Sequence, residues 1–266
     1  MDEKTFADII ELITQCTGII PRDSHRTGIK NYIEKQSNPD YYNYILNNRE
    51  EMINLINSAT VNETYFFREE AQFQLLQSKI FPQLVTANPG RRLRIWSAAC
   101  SSGEEIYSLV MLADAMGIKT DCLASDINTR VLDICTKGVY KKNAVRTVDG
   151  SAYHHLLQPY KKSDGSFELP QKLCTRITTK QINLSRLTDF PKNQDIIFIR
   201  NVFIYFSNEM KKQILNYITE NSLAPDGYLF VSMNEVATLD ALMLPPGLEK
   251  IADGKVFYFH KKGLAK

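Results

Sequence analysis

Cysteine is scarce and scattered in this chain. Cys16, Cys100, Cys122, Cys135 and Cys174 are odd in number, widely spaced, and form no CxxC pair. That pattern argues against a disulfide framework or a structural zinc site and predicts reduced thiols, no bound metal and a cytoplasmic location. No apolar run approaches the roughly 20 residues that span a bilayer, so no membrane insertion is expected. The amino-terminal MDEKTFADIIELI opens acidic and then alternates like an amphipathic helix, unlike a secretory signal. An excess of one charge is also missing: 32 basic against 30 acidic residues give a net charge of +2. This near balance counts against a general nucleic-acid binder, which needs a strongly basic face. Internal repeats and low-complexity tracts are absent as well.

What remains is a globular composition. With 266 residues and 44% hydrophobic content, the chain can bury one large core, or one medium and one small. The first 80 residues carry helical periodicity: Phe6, Ile9, Ile10 and Ile13, then Tyr41, Tyr44, Ile45, Met52, Ile53 and Ile56, then Phe66, Phe73, Leu75, Leu76 and Ile80. Asp23 and Ser24 could open a second helix after Pro21. Pro82, Pro89 and Gly90 mark a connection, after which the period changes. Leu93–Ala99, Asp121–Ser125, Asp195–Ile199 and Gly227–Ser232 read as strands. Glu104–Met116, Thr129–Thr136 and Asn208–Asn221 read as helices. Strand alternating with helix predicts an α/β fold with a parallel sheet covered on both faces. From 141 to 180 the rhythm fails, with Gly150 and Gly165 as punctuation and short strands expected at Phe167–Leu169 and Leu173–Thr178. A closing hairpin is expected over Leu248–His260.

Chemistry concentrates at the ends of the expected strands, where open α/β sheets bind ligands. The first turn, WSAACSSGEEIYS, holds small residues that let backbone approach a ligand, but only Gly103 is a glycine. The missing GxGxxG disfavours a nicotinamide oxidoreductase. Asp126 follows about 20 residues on, where an acid can accept hydrogen bonds from both ribose hydroxyls. It could equally cap the next helix. Arg200 and Asn201 interrupt the apolar DIIFIRNVFIYF, and a guanidinium there needs a partner or a ligand. Tyr205 by itself reads as core as readily as site. No histidine falls in these segments, and His25, His154 and His155 are expected at the surface or in caps.

Six segments in order, NETYFFRE, WSAACSSGEEIYS, ASDINTRVL, INL, IRNVFIYF and LAPDGYLFVS, resemble the CheR family of chemoreceptor methyltransferases over nearly the whole chain. The resemblance implies a small all-α N-terminal domain (1–80) and a Rossmann-like methyltransferase domain (81–266) with an inserted antiparallel β-subdomain (141–180). It implies S-adenosylmethionine as cofactor, S-adenosylhomocysteine as product, and methyl transfer to glutamate side chains of methyl-accepting chemotaxis receptors. Carried onto this sequence, Asn62, Thr64 and Arg68 should line the methionine end of the cofactor, with Glu105 contacting it from the first turn. Asp126 should hold the ribose and Ile127 pack on the adenine, flanked by Asn183 and Leu184. Ile199 and Arg200 should close the pocket near the reactive methyl, and Tyr205 should sit by the substrate carboxylate. Arg68, Arg200 and Tyr205 are thus the candidates for orienting the anion.

Two departures bear on the partner. Family members that dock on a receptor C-terminal pentapeptide lengthen the β-subdomain, whereas YKKSDGSFEL is short, so pentapeptide-independent action is expected. The second helix, often strongly basic in this family, here mixes Arg22, Arg26, Lys30 and Lys35 with Asp23 and Glu34. Lack of a heptad or a large apolar stripe suggests a monomer. A methyltransferase of another substrate class and a cofactor-binding signalling module without turnover stand as rivals.

Overall fold

The computed structural model describes residues 1–146 and 152–263; Gly150 lies outside them. The chain opens with helices α1 (Glu3–Thr17), α2 (Asp23–Lys35), α3 (Tyr41–Asn47) and α4 (Arg49–Ala59). Ile9, Ile10, Ile13, Ile29, Ile33, Tyr41, Ile45, Leu55 and Ala59 bury together as their core. The expected periodicity across 41–56 divides at Asn48, whose extended backbone and side chain cap α4 by accepting from the Glu51 N–H at 3.0 Å. Helix α1 ends because Gly18 takes φ 72°, closing on the Thr14 carbonyl at 2.7 Å. A Cβ at Gly18 would come within 2.6 Å of Ser185 Cβ, so the helix end sits directly against Ser185.

Helices α5 (Glu70–Leu75) and α6 (Phe81–Ala87), joined by a π-helical turn at Leu76–Ile80, lead to the sheet. Their pattern groups them with the N-terminal domain by sequence, but Phe66, Phe67, Phe73, Leu76, Ile80 and Phe81 bury in the core of the sheet.

Among the described residues, seven strands form one sheet: β1 (Leu93–Ala98), β2 (Thr120–Asp126), β5 (Ile177–Gln181), β6 (Gln194–Ile199), β7 (Leu223–Phe230), β8 (Leu248–Asp253) and β9 (Val256–Lys261), with β3 (Val139–Tyr140) and β4 (Phe167–Glu168) paired separately. The order is β5-β2-β1-β6-β7-β9-β8, parallel throughout except for the terminal hairpin. Helices α7 (Glu104–Ala115), α8 (Thr129–Lys137), the short α9 (His154–Leu157) and α10 (Gln171–Cys174), α11 (Asn208–Tyr217) and α12 (Met233–Asp240) complete the chain. Separate apolar clusters form on the two faces of the sheet, one around Ile95, Phe198 and Phe230 and the other around Trp96, Ile197 and Leu229. Alternation of side chains along each central strand produces both, as a doubly covered sheet requires.

The expected insertion is shifted from its sequence boundaries: its first strand lies ahead of residue 141, and the end of the range joins the main sheet. Its paired strands are β3 and β4. Residues 177–180 instead belong to β5, the edge of the main sheet beside β2, and 171–174 are helical rather than extended. The Ile177–Gln181 run is polar outside Ile177, which fits an edge strand but hides it from a hydrophobic-run reading. No helix among the described residues is long and apolar enough to cross a membrane.

Candidate active site

A cleft of about 980 Å³, mouth included, lies over the carboxyl ends of β1, β2 and β6 and under the α1–α2 junction. Asn62, Thr64, Arg68, Glu105, Asp126, Ile127, Asn183, Leu184, Arg200 and Tyr205 all line it. Segments separated by more than a hundred residues thus converge on one cavity. Ile199 does not line it: its side chain is fully buried in the apolar core with Trp96, Ile197 and Leu229.

The floor is the turn after β1. Ala99, Ser101 and Gly103 take φ of 57°, 50° and 94°. Gly103 has no alternative there, since a Cβ would stand 2.3 Å from Cys135 Sγ. Left-handed backbone recurs around both arginines, at Phe67, Glu69 and Asn201. Such conformations each cost about 1–3 kcal/mol in non-glycine residues and persist where surrounding structure enforces them, as at ligand sites.

At the nucleoside end, Asp126 is 6% exposed. One oxygen accepts the Ser101 N–H and the other the Asn128 N–H, both at 2.9 Å. Burial raises its pKa against those backbone donors. It does not cap α8; Asn128 does, accepting from the Arg130 N–H at 2.9 Å. The helical domain holds this corner. Asn57 on α4 donates to Thr129 Oγ1 and accepts the Thr129 N–H, and Asn128 Nδ2 donates to Thr60 Oγ1 at 2.6 Å. Asn183 is also committed: its Nδ2 donates to the Cys16 carbonyl at 2.8 Å and its Oδ1 accepts from the Ser185 N–H. Its amide braces α1 against the sheet, leaving Ile127 and Leu184 as the apolar lining.

The other end is cationic. Arg200 has a side chain only 2% exposed. Its Nη2 donates to the Arg68 carbonyl at 2.7 Å and its Nε stands 3.5 Å from Glu105 Oε2, while Nε and Nη1 are buried without a hydrogen-bond partner. Glu105 accepts from Ser97 Oγ at 2.6 Å, and burial raises its pKa against the pull of Arg200. Arg68 donates from Nη1 to the Glu63 carbonyl at 2.8 Å and lies over the Tyr65 ring. Tyr205 sits on the turn after β6, which Glu235 clasps: its carboxylate accepts the N–H of Asn201 at 2.7 Å and of Ile204 at 3.2 Å while completing the capping box of α12. Glu69 joins the clasp by accepting from Ser232 Oγ at 2.5 Å.

Sequence reasoning missed Thr17, Ile19 and His25, which also line the cleft. A surface or capping role is expected for His25; its ring instead packs on Tyr205 with centroids 5.5 Å apart. No local signal marks it, because the contact depends on how the two domains meet. The Asn57–Asn128 and Glu69–Glu235 braces were likewise invisible, although the Ser232–Glu235 spacing is a legible capping box.

A parallel sheet closed by an antiparallel hairpin, an acid at the end of β2 and a first turn without the dinucleotide glycines together define an S-adenosylmethionine-dependent methyltransferase. Residues 62–242 match the family model described as the CheR methyltransferase, SAM binding domain. The chain belongs to this family. It is 34% identical to a chemotaxis protein methyltransferase of Pseudomonas putida over 68% of each chain. It is 33% identical to chemotaxis protein methyltransferase 2 of Vibrio cholerae over 76% of this chain and 72% of the relative. Against the chemotaxis protein methyltransferase of Salmonella typhimurium, identity is 31% over 88% of this chain and 84% of that one.

Proposed function

We propose that this enzyme methylates glutamate side chains in the cytoplasmic helical region of methyl-accepting chemotaxis receptors, yielding glutamate methyl esters and S-adenosylhomocysteine. The observation that carries the reading is Arg200: a buried guanidinium with two unpartnered nitrogens at the reactive end of a nucleoside-sized cleft. Glu105 faces the Nε at 3.5 Å, and the Nη1, still without a partner, calls for a further acceptor. The cleft also fits the cofactor. Each Asp126 oxygen accepts a single backbone donor and keeps capacity for a ribose hydroxyl. Ile127 and Leu184 offer apolar surface for adenine, and Asn62, Thr64, Arg68 and Glu105 surround the place for the amino-acid end.

Bound S-adenosylmethionine supplies an electrophilic methyl group on a sulfonium. A free glutamate has a pKa of about 4.3, so the acceptor arrives ionised and no general base is needed. The work of the chain is positioning and exclusion of water. Arg200 orients the acceptor carboxylate, and Arg68, more exposed and adjacent to Asn62 and Thr64, holds the cofactor. Binding the anion too tightly would blunt its nucleophilicity, and Glu105 beside Arg200 offsets part of that charge.

The names of the relatives support receptors of the chemotaxis system as substrates. The two-residue strands β3 and β4 offer little edge for an added peptide strand, which supports pentapeptide-independent docking. We read the enzyme as a cytoplasmic monomer. Transfer of radiolabelled methyl to purified receptor cytoplasmic domain, read as base-labile methanol, tests the proposal. Label that disappears with Asp126→Ala supports it. Confirmed cofactor binding with no labelled receptor would favour another acceptor or a module without turnover.

A further inference from the structure

The α1–α2 junction grips the Tyr205 turn at three points. The Ile20 N–H donates to the Tyr205 carbonyl at 2.8 Å, Arg22 Nη2 donates to the Ile204 carbonyl at 3.3 Å, and the Arg22 guanidinium lies 5.7 Å over the Tyr205 ring. His25, the first-turn residue of α2 that faces inward, meets the same ring at 5.5 Å and lines the cleft. Among the described residues neither ring nitrogen of His25 has a hydrogen-bond partner, and neither does the Tyr205 hydroxyl. Two polar side chains from separate parts of the chain therefore line one cavity together with Arg68, Arg200 and Asp126.

We propose that His25 is an acceptor-positioning residue: its imidazole N–H, paired with the Tyr205 hydroxyl, receives the second oxygen of the acceptor carboxylate. The inference rests on the glutamate-methylating reading above and adds the helical domain to the reaction site. A neutral donor suits the task. It fixes the direction of the anion with less loss of basicity than a third cation beside Arg68 and Arg200 would impose. Burial, with Arg22 adding to it, depresses the His25 pKa below that of a free histidine, which favours the uncharged ring. Arg22 is occupied by the Ile204 carbonyl and the Tyr205 ring, which leaves His25 as the residue of α2 presented to the cavity.

Two substitutions separate donation from packing. His25→Phe keeps a ring against Tyr205 and removes the donor; His25→Gln keeps a donor and removes the ring. Each is assayed by methyl transfer to a receptor cytoplasmic fragment and by calorimetry with S-adenosylhomocysteine. The expected result is a fall of about 10- to 100-fold in kcat/KM for the receptor fragment with His25→Phe, the range for a lost hydrogen bond to a charged group. Affinity for S-adenosylhomocysteine should be unchanged, and His25→Gln should recover most of the loss. Unaltered kcat/KM in His25→Phe, an equal loss in both variants, or a loss that follows cofactor affinity would each overturn the assignment. If the unsubstituted enzyme binds S-adenosylhomocysteine but labels no receptor fragment, the glutamate reading itself fails, and that arm involves no change at His25.

Discussion

Arg200→Met is the most informative single change. The guanidinium is sealed from solvent, 3.5 Å from Glu105 and bonded to the Arg68 carbonyl. At an effective dielectric near 20 the attraction to Glu105 is about 5 kcal/mol before desolvation, and the bond to the carbonyl adds about 1.5–3 kcal/mol. Methionine removes both terms along with the desolvation of the cation, and Glu105, already shifted upward by burial, can take a proton rather than remain an unpaired anion. A net destabilisation of about 2–4 kcal/mol is expected, or roughly 5–12 °C in Tm for a chain of this size. Turnover at saturating cofactor and receptor should fall about 10²-fold, the scale of losing the alignment of the reacting groups, with S-adenosylhomocysteine affinity only modestly weakened. Adding Glu105→Gln should restore part of the lost stability, since the uncompensated acid disappears, but none of the turnover. Steady-state methyl transfer, calorimetry and thermal melts on the two single variants and the double read all three quantities. Normal turnover at saturation together with lost cofactor binding would refute the assigned role. A double variant whose melting loss equals the sum of the singles would refute the coupling.

Other outcomes follow from neighbouring residues. The buried Asp126 has a pKa raised above its ordinary value, and ribose hydroxyls donate to its ionised form. Cofactor affinity should therefore weaken as pH falls through that raised pKa and hold level above it; calorimetry across pH, with Asp126→Asn as the flat control, checks the sign. Gly103→Ala should lower stability by about 2–5 kcal/mol, combining a positive φ with a Cβ pressed on Cys135, and Cys135→Ala should relieve only the steric part in a denaturant titration. Glu235→Ala strands the part-buried N–H groups of Asn201 and Ile204. About 3 kcal/mol of stability should be lost, and kcat should drop more than cofactor affinity, with Glu235→Gln intermediate.

The sequence carried the sheet well because central strands hold continuous apolar runs, such as Ile196–Ile199 in β6, between helices of regular period. Most of the site was legible for a similar local reason: Asp126, Arg200 and the Gly103 turn sit at strand ends, where position along the chain nearly determines position in the cleft. Residues whose role depends on long-range packing were hidden. His25 reaches Tyr205 only because Gly18 lets α1 end against Ser185, and no periodicity encodes that approach. Asn183 lines the cleft as expected, and the bond from its amide to α1 is a second, long-range role that no local pattern encodes. The edge strand Ile177–Gln181 was assigned to the insertion because its exposed polar residues erase the alternation that marks strands elsewhere.

The helical unit has an apolar core of its own and meets the sheet largely through polar braces around the cleft. A nucleoside held between Asp126 below and the α1–α2 junction above would act as a rivet between two cooperative units. Melting of the ligand-free chain is then expected to spread over two overlapping transitions, with the small unit first. Saturation with S-adenosylhomocysteine should merge them into one sharper transition, so that the breadth of the unfolding curve, more than its midpoint, reports whether the two units are joined.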